Sequence, residues 1–373
     1  MYDVAIIGAG INGCSLAYEL MRANKKVLLL DMEGIASGGS GAAGAFISPK
    51  FSKAGELKEL LHEAYLYSFD FYKNNFSHIF KVVPLVHIAQ DQADDATLRS
   101  YKQTTTLPLQ EAPQECLDSL TSQARQREKV CLEAGVVDAR RMCIALSKGS
   151  EFRKHKVESL VYDDGMWVID ELYSATDVVL ATGAYENLIK EPYMKLRGIW
   201  GHRIDIQSST SNSCSLHQEV SISPSENGVL AIGATHNVHY HPQKSSKPYD
   251  VEAGRAELLQ KAAKTICLKD VKVFKDYMGL RSGSFDYIPI IGPLIDSTQT
   301  LECCEKKVKI KKPNYDDFVS YPNLYMINGN GGYGFVLAPY LAKILAKHIL
   351  ADAKIPKGLQ CARFFARWAK RAT

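Results

Sequence analysis

No uninterrupted apolar run in this 373-residue sequence approaches the roughly 18–20 residues of a membrane-spanning helix. The nine cysteines include no C-x-x-C pair, and the adjacent Cys303 and Cys304 suit one tetrahedral metal badly. Nine reduced thiols and no metal centre are therefore expected. The chain opens on "YDVAIIG", without the basic segment and small-residue cleavage site of a secretory leader. A cytoplasmic protein without a membrane span is expected. Charge of one sign is scarce as well. Lys and Arg number 45 against 41 Asp and Glu, a net charge of +4. That balance permits an anionic partner but lacks the concentrated charge of a dedicated nucleic-acid binder. No internal repeat is visible.

What is present begins at Asp3. Val4–Ile7 has the length of a buried parallel strand. Gly8-x-Gly10-x-x-Gly13 follows at once, then Leu16, Ala17, Leu20 and Met21 at the spacing of one helix face. Val27–Leu30 forms a second apolar strand, closed by Asp31. In this order the glycines allow a tight turn, close approach to a pyrophosphate, and close helix–strand packing. The helix N-terminus, formed by Gly8, Ala9, Gly10, Ile11, Asn12 and Gly13, supplies free N–H groups. Asp31 stands where an acid meets a ribose. The motif itself admits NAD or FAD. Three later stretches favour FAD. "ASGGSGAAGAFISP" (36–49) places small residues, among them Ser37, Gly38, Ser40, Gly41 and Ala45, beside an extended cofactor. "DVVLATGAYE" (177–186) reads as a distant strand of the same domain ending in Ala181, Thr182 and Gly183. "GNGGYGFVLAP" clusters Gly329, Gly331, Gly332 and Gly334 with Tyr333 and Phe335 before a helix expected over 336–350.

Helices are also expected over 57–76, 139–146 (capped by Asp138) and 252–266. Hairpins are expected over 157–169 and 220–234, and a strand over 81–89 broken by Pro84. The alternation implies an α/β (α+β) fold: a Rossmann-like cofactor domain interleaved with an antiparallel-sheet substrate domain. The cofactor domain would draw on 1–80, 136–196 and 276–373, and the substrate domain on 81–135 and 197–275. The ligand would sit between them.

Arg281 lies among glycines and serines in "GLRSGSFDYIPIIGP", and a constrained arginine suits bidentate carboxylate binding. His236, His239 and His241 lie close together, without the spacing of a standard zinc site. His202 is a candidate to approach the flavin. Arg363, Arg367 and Arg371 repeat at i, i+4 and i+8 on a C-terminal helix. With the basic run Lys306, Lys307, Lys309, Lys311 and Lys312 they are compatible with RNA phosphates, and equally with solvent.

"IIGAGINGCSLAYEL", "VVDARRMCIAL" and "GLRSGSFDYIPIIGP … GNGGYGFVLAP" together resemble the D-amino acid oxidase and glycine oxidase family across essentially the whole chain. The small-residue loop, a serine–lysine step after it, "IGATHNVHYHPQ" and the C-terminal glycine cluster are similar to the FAD-dependent domain of bifunctional tRNA 5-methylaminomethyl-2-thiouridine biosynthesis proteins. The resemblance implies non-covalent FAD and a glycine oxidase-like fold. It implies an oxidoreductase acting on CH–NH donors, with Arg281 holding a carboxylate. The tRNA branch implies removal of the carboxymethyl group from 5-carboxymethylaminomethyl-uridine at the wobble position, releasing glyoxylate, with methyl transfer left to a separate partner. The oxidase branch implies a free amine such as glycine, sarcosine or a D-amino acid. Relatives carry an arginine where this chain has Gly332 and Tyr333. Tyr333 is then a candidate to supply a hydroxyl or a ring in its place.

Overall fold

The computed structural model describes residues 1–52, 55–185, 188–308 and 310–371. Two sheets carry the fold. The first runs in the order β16 (Ile290–Ile295), β17 (Ser320–Asn328), β10 (Tyr173–Leu180), β1 (Tyr2–Ile7), β2 (Val27–Asp31) and β7 (Glu151–Lys154). The hairpin of β8 (Leu160–Asp163) and β9 (Met166–Ile169) joins it at β10. Its centre is parallel, with β1 between β10 and β2. Alternate residues of β1 enter different cores. Val4 and Ile6 pack with α1 (Ile11–Arg22) and α9 (Gly334–Ala351), whereas Ala5 and Ile7 join the core of Trp167, Tyr193 and Phe365. Burial on both faces is why these strands read as unbroken apolar runs.

The second sheet runs in the order β15 (Lys272–Ser284), β11 (Leu196–Gln207), β14 (Val229–Gly233), β13 (Ser221–Ile222), β12 (Ser215–His217), β4 (Phe80–Ile88), β6 (Lys129–Val137) and β3 (Phe46–Ile47). A short β5 (Leu109–Gln110) adds to β6. One face packs Val86, Ile204, Leu216 and Ile232 against Leu258 and Ala262 of α7 (Val251–Thr265). The alternate residues His87, Arg203, His217 and Gly233 face the other way, into a cavity. The remaining helices are α2 (Glu56–Asn75), α3 (Gln92–Thr104), α4 (Gln114–Ser119), α5 (Ser122–Gln126), α6 (Ala139–Ser147), α8 (Ser297–Val308) and α10 (Ala362–Ala369).

Some expectations change. Pro84 does not break its strand. It lies within β4 opposite Glu133, and on the other side β12 pairs only with Leu85–His87, so the ladder tolerates a missing N–H. The boundary expected at 276 falls inside β15, a single strand that carries Arg281 in the second sheet. Among the described residues α9 is long and apolar enough to cross a membrane by length and composition, with mean hydropathy 1.3. Here it packs on α1 and α2.

The C-terminal arginines need the largest correction. Arg363 is buried, because its guanidinium grips Asp286 through Nε (3.0 Å) and Nη2 (3.1 Å). It also donates to the Ile288 and Gln360 carbonyls. Arg367 donates to the same Asp286 at 2.9 Å. These two cations staple α10 to the turn after β15, and Arg363 is no phosphate ligand. Arg371 stays exposed. In the lysine run, Lys307 pairs with Asp317, Lys306 and Lys307 lie on α8, and Lys309 lies outside the described residues.

Burial raises the Asp286 pKa, but the Arg363 bond and charge outweigh it, and the net direction is down. The carboxyl is then harder to protonate folded than unfolded. The pair stabilises above the ordinary carboxylate range, and that contribution is lost as pH falls through the folded value. Arg363→Ala, which leaves the half-buried Asp286 carboxylate with only the exposed Arg367 as a cation, should cost about 1.5–3 kcal/mol. Denaturant titration at pH 7 measures it, and a loss below about 1 kcal/mol would contradict the staple.

Candidate functional site

Sheet order brings both glycine loops to one place. β10 lies between β1 and β17, so the loops after these strands open side by side. They touch directly, with Asn330 Nδ2 donating to Asn12 Oδ1 at 2.6 Å. A cavity of about 1140 Å³ runs from there to the second sheet.

Close packing explains the first loop. Gly8 has φ +112°, and a Cβ there would stand 2.3 Å from the Ala181 carbonyl oxygen. A Cβ on Gly13 would stand 1.9 Å from the Gly8 oxygen, so helix α1 sits directly on the turn. The N-cap residue of α1, Gly10, has no side chain to cap it. Its Ile11 N–H is met by Ser40 Oγ at 2.9 Å. Asp31 has work the spacing did not reveal. It accepts from the N–H groups of Ala9 (2.8 Å), Glu33 (2.9 Å) and Gly34 (2.9 Å) and from Ser37 Oγ (3.2 Å). The carboxylate clamps the two loops that frame the cavity.

All the expected cofactor residues line this cavity except four. Ala9, Gly13, Gly41 and Gly329 stand behind the wall. Gly41 packs on the Ala36 carbonyl and Gly329 beside Ser284. At the other loop, Tyr333 occupies the N-cap position of α9, again without a side-chain cap. A Cβ on Gly331 or Gly332 would meet no protein atom within 4 Å, because both border the cavity.

Arg281 enters from the second sheet. Its Nη2 donates to the Thr235 carbonyl at 3.1 Å, and no carboxylate pairs with it among the described residues. Gly201, across the ladder on β11, makes the room. A Cβ there would be 2.4 Å from Nη2. Burial lowers the Arg281 pKa, yet a guanidinium stays charged. Most of its five donors are therefore left for a ligand.

The charge missing at Gly332 and Tyr333 has a counterpart that sequence reading passed over. Lys50 lines the cavity, with Nζ 3.5 Å from the Tyr333 hydroxyl and 5.5 Å from the ring centroid. The serine–lysine step noted nearby ends at Lys53, outside the described residues. His202 does not reach the cavity. It is fully buried, held by Asp276 at 2.9 Å. His236, His239 and His241 form no metal cluster among the described residues.

A family profile described as "FAD dependent oxidoreductase" matches residues 3–348. The chain belongs to this family. Its cofactor is FAD, non-covalently held. It is similar to the tRNA 5-methylaminomethyl-2-thiouridine biosynthesis bifunctional protein MnmC of Legionella pneumophila, at 25% identity over 96% of this chain and 56% of that protein. The MnmC of Leptospira interrogans is 23% identical over 99% of this chain and 61% of that protein. The chain thus spans about half the length of these curated relatives. Among solved structures, glycine oxidase from Bacillus cereus has the same fold, with TM-score 0.76, 19% identity, and 95% and 96% of the two chains covered.

The cavity wall fits FAD. Two helix ends whose own N-cap residues make no side-chain cap face it, as a ligand with an anionic diphosphate and an electron-accepting ring requires. Buried polar atoms on three lining residues, Thr182 Oγ1, Ser282 Oγ and Asn330 Oδ1, have no partner among the described residues. Gly8–Asn12 would hold the diphosphate, and Gly331–Phe335 would border the flavin ring.

Proposed function

We propose that this oxidoreductase oxidises the C–N bond of a glycine-like secondary amine. The carrying observation is Arg281, an unpaired guanidinium in the wall of the cofactor cavity. A carboxylate is the ligand that complements it. Bound FAD supplies the two-electron acceptor. Arg281 fixes the carboxylate, and with it the neighbouring carbon. Lys50 and Tyr333 add a cation and a hydroxyl where the substrate's polar end is expected. Loss of a hydride from that carbon and a proton from nitrogen leaves an imine. Water cleaves the imine to glyoxylate and the shortened amine.

The substrate we favour is 5-carboxymethylaminomethyl-(2-thio)uridine at the tRNA wobble position, which would yield the aminomethyl base. The MnmC likeness over nearly the whole chain supports it. The second reading is a free amine or amino acid oxidase, favoured by the loss of Arg363 as a phosphate contact. Anaerobic flavin reduction separates the two. Undermodified tRNA should bleach the flavin, while glycine, sarcosine and D-alanine should do so poorly. The reverse order would establish the second reading.

Lys50→Met, with FAD content intact, is expected to raise KM for the carboxylate substrate roughly tenfold, the effect of one charged hydrogen bond. An unchanged KM would remove Lys50 from the site.

A further inference from the structure

The cavity extends past Lys50 to an aromatic wall with no assigned role. Phe51 stacks on His87, with centroids 4.3 Å apart and planes at 7°. Phe46 meets His217 edge-on at 4.9 Å. The two imidazoles sit opposite one another on the paired strands β4 and β12, 6.4 Å apart. All four rings line the cavity. Neither histidine is placed for metal or for ion pairing. His87 Nδ1 and His217 Nε2 are buried without any hydrogen-bond partner. Burial also lowers the pKa of His87 to about 4 and of His217 to about 3. Both rings are therefore neutral at physiological pH, each with one N–H and one lone pair. Those two atoms are closed off from the cavity, so a ligand would reach the rings through the other nitrogens, His87 Nε2 and His217 Nδ1; a ligand that displaces water from these and pairs with them is favoured over one that cannot.

The wall is continuous with the reacting end of the cavity. Lys50 and Phe51 are consecutive: one reaches Tyr333, the other stacks on His87. Lys50 and Arg281 make this space hostile to a cationic ligand group. A small alkyl group would leave the imidazoles unmet and the rings uncovered.

We propose that His87, His217, Phe46 and Phe51 form the subsite for the group carried on the substrate nitrogen, and that this group is a flat, uncharged heterocycle with carbonyl and ring N–H groups, of the pyrimidine class. The proposal rests on the amine-oxidation reading and names the second half of its substrate. Stacking supplies sequence-tolerant affinity for such a ring. The imidazoles supply the discrimination.

The test uses FAD-loaded enzyme and two small probes, N-(uracil-5-ylmethyl)glycine and N-methylglycine. The half-saturating concentration of each is read from the flavin absorbance under anaerobic conditions. Wild type should saturate with the uracil probe at a concentration at least tenfold lower. His87→Leu and His217→Leu should each erase about tenfold of that preference while leaving N-methylglycine within twofold. His217→Asn, which keeps a donor and an acceptor, should restore part of it. Equal affinity for the two probes in wild type overturns the proposal. So does a parallel loss for both probes in the variants, which would mark the histidines as structural. Preference for the uracil probe without flavin reduction by undermodified tRNA would sustain the subsite and defeat the tRNA reading alone.

Discussion

Arg281→Ala, in enzyme that keeps its FAD, is expected to lower kcat/KM for a carboxylate-bearing amine on the order of 10²- to 10³-fold. Removing one partner of a desolvated charge pair costs about 2–5 kcal/mol, and most of that appears as lost transition-state binding. Among the described residues the guanidinium makes one hydrogen bond, to the Thr235 carbonyl, so its removal disturbs little else. Flavin content and thermal stability should stay near wild type, because no ion pair is broken. Gly201→Ala provides an independent check. Its Cβ would fall 2.4 Å from Arg281 Nη2, forcing the side chain aside without deleting the charge. It should show a smaller defect of the same kind. A normal KM in Arg281→Ala would exclude the carboxylate assignment.

Gly8→Ala is expected to abolish flavin retention. At φ +112° an L-residue is strained, and the new methyl carbon would lie 2.3 Å from a backbone oxygen of β10's exit turn. Nothing there can yield except the backbone, so the loop and the start of α1 must move out of the geometry that faces the cavity. FAD affinity should drop at least 100-fold, the loss that a misplaced set of amide donors implies at about 1.4 kcal/mol per decade. Gly332→Ala is the matched control. Its Cβ would meet no protein atom, so the fold should be untouched. Any flavin defect would then arise from the ligand side. The absorbance ratio of flavin to protein in purified samples measures both. A fully flavinated Gly8→Ala protein would refute the argument.

How much of this was legible before the structure depends on the range of the interaction. The unit β1–α1–β2 was readable because strand, glycines and helix are encoded within thirty residues. The N-cap at Asp138 was readable for the same reason, and its side chain accepts from Arg141 N–H. β6 was not recognised, although it pairs with β4 over nine residues. Glu133 and Gly135 interrupt its apolar run, and its stability comes from a partner forty residues away. Arg363 was misread because helical spacing shows which residues share a face, not what that face meets. Asp286 turns it inward. Lys50 and the two cavity histidines carry no local signature. They become visible only when alternation along β4 and β12 is combined with knowing which side of the sheet faces the cofactor. The glycine clusters, by contrast, announced the correct cavity, and half-hid Asp31's clamp.

The Asn12–Asn330 contact also has a meaning in time. It joins residues 318 positions apart, and the loops it joins form the two ends of one binding site. Chains emerge from the ribosome at about 5–20 residues per second, N-terminal part first. For tens of seconds the first loop exists with no counterpart, and β1 lacks the β10 neighbour whose own partner is β17. The nascent protein cannot hold its flavin tightly until the last strand is inserted. Cofactor capture thus waits for β17 and the loop after it, and a chain truncated before residue 335 should be recovered colourless.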